Sequence, residues 1–156
     1  MTKRISKTNY YLNIAQECTL RGTCLRRSYG AVIVKNDEII STGYTGSPRG
    51  RLNCCDHGQC LREELNIPSG QRYEICRSVH AEMNACIHAG RKDMLGATMY
   101  LCGVVKKTGK IFAETIPCEL CKRVIINSGI DTVIIRRNEK EYEKYRVAKW
   151  AEEEPQ

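Results

Sequence analysis

Two short strings carry the residue types that bind and work a metal: His80-Ala81-Glu82, and Pro117-Cys118-Glu119-Leu120-Cys121. One imidazole nitrogen and two thiolate sulfurs supply three ligands of a tetrahedral zinc site and leave the fourth position for water, the arrangement of a catalytic centre. Both strings fall at expected helix N-termini. There the free backbone N–H groups and the helix dipole favour anionic sulfur, which readies Cys118 and Cys121 for metal. Zinc brings the pKa of bound water to about 7, and Glu82, two residues beyond His80, can move protons without ligating the ion. The rival reading, a closed structural zinc with Glu82 a solvated helix carboxylate, needs a fourth protein ligand, and none sits close in sequence.

Together the strings match the H-x-E and P-C-x-x-C signature of zinc deaminases. The first pattern arises by chance roughly 0.3 times in such a chain and the second roughly 0.02 times, so the pair is the signal, not H-x-E alone. The chemistry it predicts is attack of metal-activated water at C4 of a cytosine ring, with Glu82 moving protons to N3 and then to departing ammonia, leaving a uracil ring. His88 is not a further ligand: eight residues along the same helix is about 12 Å of rise.

The elements that must hold these strings are legible as periodicity. Tyr11, Ile14, Ala15 and Cys18 form an apolar helical stripe over about 8–19. Residues 31–35 and 38–43 read as a hairpin turning at Asn36-Asp37. Residues 45–78, punctuated by glycine and proline, read as a long functional or metal-clipped loop. A second helix over 79–89 stops at Gly90 as its C′ residue, and 98–102 is a strand. Lys106–Lys110 is a turn leading to 111–113, another hairpin or a long loop. Pro117 opens a helix through Ser128 that Gly129 ends, and 131–136 is a strand. The tail, 138–154, reads as a surface helix fastened by Tyr142, Tyr145, Val147 and Trp150. Helix, strand, strand, helix, strand, helix, strand, helix is the order of a single three-layer α/β/α domain over residues 1–156.

Composition sets the class. The 156 residues are 42% hydrophobic and 28% charged, which excludes a disordered or fibrous chain. No apolar run approaches the roughly twenty residues of a membrane span, and Met1-Thr2-Lys3-Arg4 is followed by no h-region, so the expected compartment is the cytoplasm. The net charge of +7 suits an anionic partner, or merely solubility. Ten cysteines in a reducing compartment point to metal before disulfides. Cys18, Cys86 and Cys102 fall on apolar faces and read as core. Cys54, Cys55, His57, Cys60 and Cys76, with Cys24, call for a second, structural zinc that clips the long loop, the alternative being free thiols or small core residues.

Beyond these two strings, Tyr29-Gly30-Ala31-Val32-Ile33-Val34, the stretch Ser41 to Gly50 (STGYTGSPRG) and Cys76-Arg77-Ser78-Val79-His80-Ala81-Glu82-Met83-Asn84-Ala85 resemble the phage and bacterial deoxycytidylate deaminases, over about residues 8–136. The resemblance implies the cytidine-deaminase fold, a mixed five-stranded sheet between helices. It also implies hydrolytic conversion of dCMP to dUMP for thymidylate synthesis, and a homo-oligomer, a hexamer among the options. It implies substrate contacts at Thr45 and Ala81, with Thr45 standing where the family commonly has asparagine. Ser47, Arg49 and Arg51 beside them are the groups a monophosphate would favour. In the second zinc site, Cys24 and Cys54 match ligand positions of phage members, with Cys60 and Cys76, or Cys55 or His57, completing it. Activation by dCTP and inhibition by dTTP with Mg²⁺ carry over with Arg91 as the matching residue. Alternatives are a superfamily deaminase for another nucleoside, base or tRNA adenosine, or a non-enzymatic basic zinc module on nucleic acid. No stable nucleic-acid partner is expected, because the basic residues lack aromatic interleaving.

Overall fold

Alternation at period two sorts the central strands onto two faces, and each face has its own helices. The computed structural model describes residues 3–153; Met1 and Thr2 of the basic start, and Glu154 of the expected last helix, lie outside the described residues. In chain order the elements are α1 (Lys7–Cys18), β1 (Arg27–Lys35), β2 (Glu38–Tyr44), α2 (Cys54–His57), α3 (Leu61–Glu64), α4 (Ala81–Ile87), α5 (Arg91–Met94), β3 (Thr98–Val105), α6 (Glu119–Ser128), β4 (Thr132–Arg136), β5 (Tyr142–Arg146) and α7 (Val147–Glu152).

The five strands form one sheet in the order β2-β1-β3-β4-β5. Only β3 and β4 run parallel, joined through α6 as the crossover; the other pairs are antiparallel. Val32, Val34, Tyr100, Cys102 and Ile134 turn to one face and meet Tyr11, Leu12 and Ala15 of α1. Their neighbours Ala31, Ile33, Met99, Leu101, Val133 and Ile135 turn to the other and pack against Ala81, Ala85, Ile125 and Trp150 of α4, α6 and α7. The result is the three-layer α/β/α architecture, a mixed five-stranded sheet with flanking helices. Asn36 and Asp37 both take positive φ, 52° and 61°, the two-residue turn whose twist suits a hairpin.

Two expectations need correction. Residues 138–154 are not one helix: 142–146 pair antiparallel with β4, and only Val147–Glu152 is helical. Tyr142, Tyr145 and Trp150 imitate a helical stripe because the two tyrosines lie on opposite faces of an edge strand, while Glu143, Lys144 and Arg146 guard that edge against further pairing. Gly90 is not a C′ residue; with φ −82° and ψ 147° its backbone is extended, and it is the N-cap of α5. Of the two options for 111–113, a hairpin or a long loop, the structure has the loop, with a single isolated bridge from Ile111 to Val104 among the described residues. No helix among the described residues is long and apolar enough to cross a membrane.

Candidate metal centre and cleft

His80 is the N-cap of α4, Cys118 the N-cap of α6, and Cys121 lies in the first turn of α6. Val79 is paired with Gly46 by reciprocal backbone hydrogen bonds of 2.7 and 3.2 Å, which fixes the approach to His80. Asn84 Nδ2 donates to the Tyr44 carbonyl at 2.8 Å and ties α4 to the end of β2. On the other side, α6 is held by its crossover between β3 and β4.

His80 Nδ1 lies 3.5 Å from Cys118 Sγ and 3.3 Å from Cys121 Sγ, and the three ligand atoms lie within 4.8 Å of one another. Zn–N of about 2.0–2.1 Å and Zn–S of about 2.3 Å give a tetrahedral N···S edge of about 3.6 Å, so this donor set fits a zinc ion. The electrostatics fit a cation as well. A hydrogen bond from Cys121, against the effect of burial and with help from His80, holds the Cys118 thiol down at about 4. Cys121 is correspondingly pushed up by its bond to Cys118 and by burial. Burial alone would lower His80, but hydrogen bonds to Cys118 and Cys76 raise it to about 10. The cluster attracts positive charge, and a metal that displaces these protons satisfies all three groups.

Glu82 is buried, with 5% of its surface exposed. Burial raises its carboxyl above the ordinary range, opposed by the charge of His80. It shares a cleft of about 750 Å³, mouth included, with His80 and Cys118, and the walls include Arg26, Arg27, Tyr29, Thr45, Arg62, Tyr73, Ser78 and Ile116. Arg27 lies over the Phe112 ring, 3.9 Å from its centroid. Arg26 pairs with Glu63 at 3.1 Å. Arg62, almost fully buried, donates to the carbonyls of Pro68 and Gln71 and lies over Tyr73, whose ring meets His80 edge-on at 5.3 Å. These arginines escaped the sequence reading. The Arg26-Arg27 pair at the start of β1 was a visible signal, whereas the position of Arg62 depends on the irregular path of the loop.

The other expected site residues spread more widely. Thr45 is in the cleft wall, and its hydroxyl accepts from the Tyr29 amide at 3.1 Å. Ala81 is fully buried in the first turn of α4. Ser47 and Arg49 are not among the cleft's lining residues. The Ser47 hydroxyl is buried without a hydrogen-bond partner among the described residues, and Arg49 reaches His88 Nε2 at 2.7 Å. Arg51 is exposed at a turn closed on Pro48. Arg91 begins α5 and donates to the Asn127 carbonyl near the end of α6 at 2.9 Å. Cys24, Cys60 and Cys76 line the cleft, and Cys54, its thiol pushed up by burial, feels the other three. Among the described residues, His80, Cys118 and Cys121 are the one group of three metal-ligating side chains drawn so close together.

An α/β/α sandwich that brings one nitrogen and two sulfurs to adjacent helix starts, beside a buried carboxylate, defines a zinc-binding protein of the deaminase class. Residues 5–137 match the cytidine and deoxycytidylate deaminase zinc-binding region, and the chain belongs to that family. It is 35% identical over 130 residues to the deoxycytidylate deaminase of Mycobacterium phage D29, covering 80% of this chain and 90% of that one. To the deoxycytidylate deaminase of Schizosaccharomyces pombe it is 32% identical over 131 residues, 84% of this chain but 37% of the yeast protein. The chain spans less than half the length of the two yeast relatives it matches. The fold is similar to the crystal structure of dCMP deaminase from the cyanophage S-TIM5, with a TM-score of 0.59, 23% identity, and coverage of 86% and 85% of the two chains.

Proposed function

We propose that this chain hydrolyses dCMP to dUMP and ammonia as a single zinc-dependent domain. The observation that carries the reading is the buried Glu82 beside the His80, Cys118 and Cys121 triangle at the floor of an arginine-walled cleft. Zinc, when bound by those three side chains, supplies a Lewis acid that brings water to a reactive protonation state near neutral pH. Glu82 takes one proton from the attacking water and delivers it to ring N3, then takes the remaining proton from the new C4 hydroxyl and passes it to the departing amine as the C4 carbonyl forms. Its burial favours this work, because a carboxyl raised above its ordinary range releases and regains a proton more evenly near neutrality. Arg27, which no carboxylate pairs with among the described residues, receives the 5′-phosphate, with Arg26 and Arg62 adding charge to the same wall. Thr45 contacts the sugar. Names borne by relatives add support: a cyanophage enzyme of this fold has been crystallised with dCMP and dUMP.

The test is chromatographic: zinc-loaded protein with dCMP, CMP and deoxycytidine, and Glu82→Gln as control. Turnover of dCMP that disappears in the variant upholds the reading. Turnover of CMP or deoxycytidine alone moves the chain to a different substrate, and none despite bound zinc favours the nucleic-acid module. The proposal extends to a structural zinc among Cys24, Cys54, Cys60 and Cys76, supported by their gathering around Cys54 and checked by a stoichiometry of two zinc ions per chain. It extends also to a cytoplasmic homo-oligomer answering to dCTP, dTTP and Mg²⁺, checked by light scattering and by rates with each effector.

A further inference from the structure

Arg137 follows the last residue of β4 and is not among the residues that line the cleft. Its side chain is 16% exposed, and every arm of the guanidinium is engaged. Nη1 donates to the carbonyls of Ala113 at 2.7 Å and Thr115 at 2.6 Å, Nη2 donates to the Tyr145 hydroxyl at 2.6 Å, and Nε faces Glu143 at 3.4 Å. Tyr145 in turn donates to Glu143. Two residues of the edge strand β5 thus orient and neutralise an arginine that reaches across to the connection between β3 and α6.

That connection leads directly to the metal centre. Phe112 N donates to the Gly103 carbonyl at 2.8 Å, laying the segment along β3. Thr115 is fully buried and its hydroxyl donates back to Phe112 at 2.7 Å. Ile116 then enters the cleft wall, Pro117 is buried, and Cys118 caps α6. Neither the Ala113 nor the Thr115 carbonyl accepts a backbone hydrogen bond among the described residues, so Arg137 is what turns both inward.

We propose that Arg137 is a positioning residue for the metal centre, setting the place of Cys118 and of the Ile116 wall through the carbonyls of Ala113 and Thr115. The planar guanidinium fork suits the task; a lysine offers a single compact donor head and cannot serve both carbonyls, Tyr145 and Glu143 in fixed geometry. Groups hydrogen-bonded behind metal ligands tune affinity, with losses of about 10–100-fold on mutation, and Arg137 acts on Cys118 one step further back, through the Ala113 and Thr115 carbonyls.

The inference rests on the proposed function only for the metal, so its test reads the metal and not turnover. Cobalt(II) is loaded in place of zinc into parent and Arg137→Ala, the visible ligand-field bands are recorded, and zinc affinity is measured by chelator competition. The expected result is a shifted or weakened cobalt spectrum together with zinc bound about 10–100-fold more weakly. An unchanged cobalt spectrum overturns the proposal, even if zinc binds less tightly, because affinity has then fallen through general stability. If Arg137→Ala does not fold, Arg137→Lys, which keeps the charge opposite Glu143, decides by the same spectrum.

Discussion

Cys121 Sγ lies 3.3 Å from His80 Nδ1, although 41 residues separate them in the chain. The start of α4 and the start of α6 meet because both helices pack on one face of the sheet, with Ala81, Ala85 and Ile125 in the same core cluster. Neither start can shift without disturbing that cluster, so the triangle is built by the fold before any ion arrives.

Zinc should therefore bind the folded chain far better than the unfolded one. At one hundred times its dissociation constant it adds about 2.7 kcal/mol of stability, which raises Tm by roughly 5–10 °C in a chain of this size. Calorimetry of chelated and zinc-loaded protein measures the difference. Cys121→Ser should lose most of it, and an undiminished rise in that variant would place the ion elsewhere.

Glu82→Gln keeps shape and removes the proton carrier. Turnover of dCMP should fall roughly 10²–10⁴-fold, while zinc content by atomic absorption stays that of the parent, because Glu82 is outside the ligand triangle. Zinc lost together with activity would make Glu82 a ligand and not a base.

The triangle was legible because both of its strings are local: a ligand and a carboxylate two residues apart, and two thiols on one helical turn. The central strands were legible because a sheet with helices on both faces needs apolar residues on both. What stayed hidden depends on distant partners. β5 is a strand only because β4 offers an open edge, and its apolar residues imitate a helix. Arg62 belongs to the cleft only because the 45–78 loop folds back over it, a path set by contacts such as those of Arg62 with the Pro68 and Gln71 carbonyls.

Arg27→Ala should lower kcat/KM for dCMP roughly 10–100-fold, the worth of one or two charge-assisted hydrogen bonds. The same change should leave deoxycytidine, which has no phosphate, close to the parental value. Arg49→Ala is the contrast, since that side chain is committed to His88 and should change neither ratio. Equal losses on both substrates in Arg27→Ala would mean that the residue shapes the cleft and does not read phosphate.

Hydrogen bonds from Lys7 and Tyr11 hold the Asp37 carboxyl below its ordinary 3.8, and the Tyr11 hydroxyl, bonded to Asp37 at 2.6 Å, is pushed up to about 12. A depressed carboxylate stabilises the fold above its ordinary pKa, and that contribution is lost as the pH falls through the depressed value. A raised phenol contributes below its ordinary pKa and is lost as the pH rises toward 12. Tyr11→Phe should lower Tm between pH 6 and 8, with the gap to the parent closing below 3.8. A gap that does not change with pH would mean that the hydroxyl serves packing alone.

Gly43 marks where β2 touches α4. A methyl there would lie 2.4 Å from the Ala81 carbonyl oxygen and from the Ala85 nitrogen, and 3.0 Å from the Ala85 Cα. All three are backbone atoms of α4, so no side-chain rotation relieves the contact and the helix itself must move. Overpacking of this kind costs about 1–3 kcal/mol. Because Glu82 lies in the first turn of the displaced helix, a shift near 1 Å should also lower kcat by up to about 10²-fold. Gly46→Ala, just past the end of β2, meets nothing nearer than 3.6 Å and should leave both Tm and kcat near parental values. If the two variants lose equal activity, it is the mobility of the loop and not the approach of β2 to α4 that sets the place of Glu82.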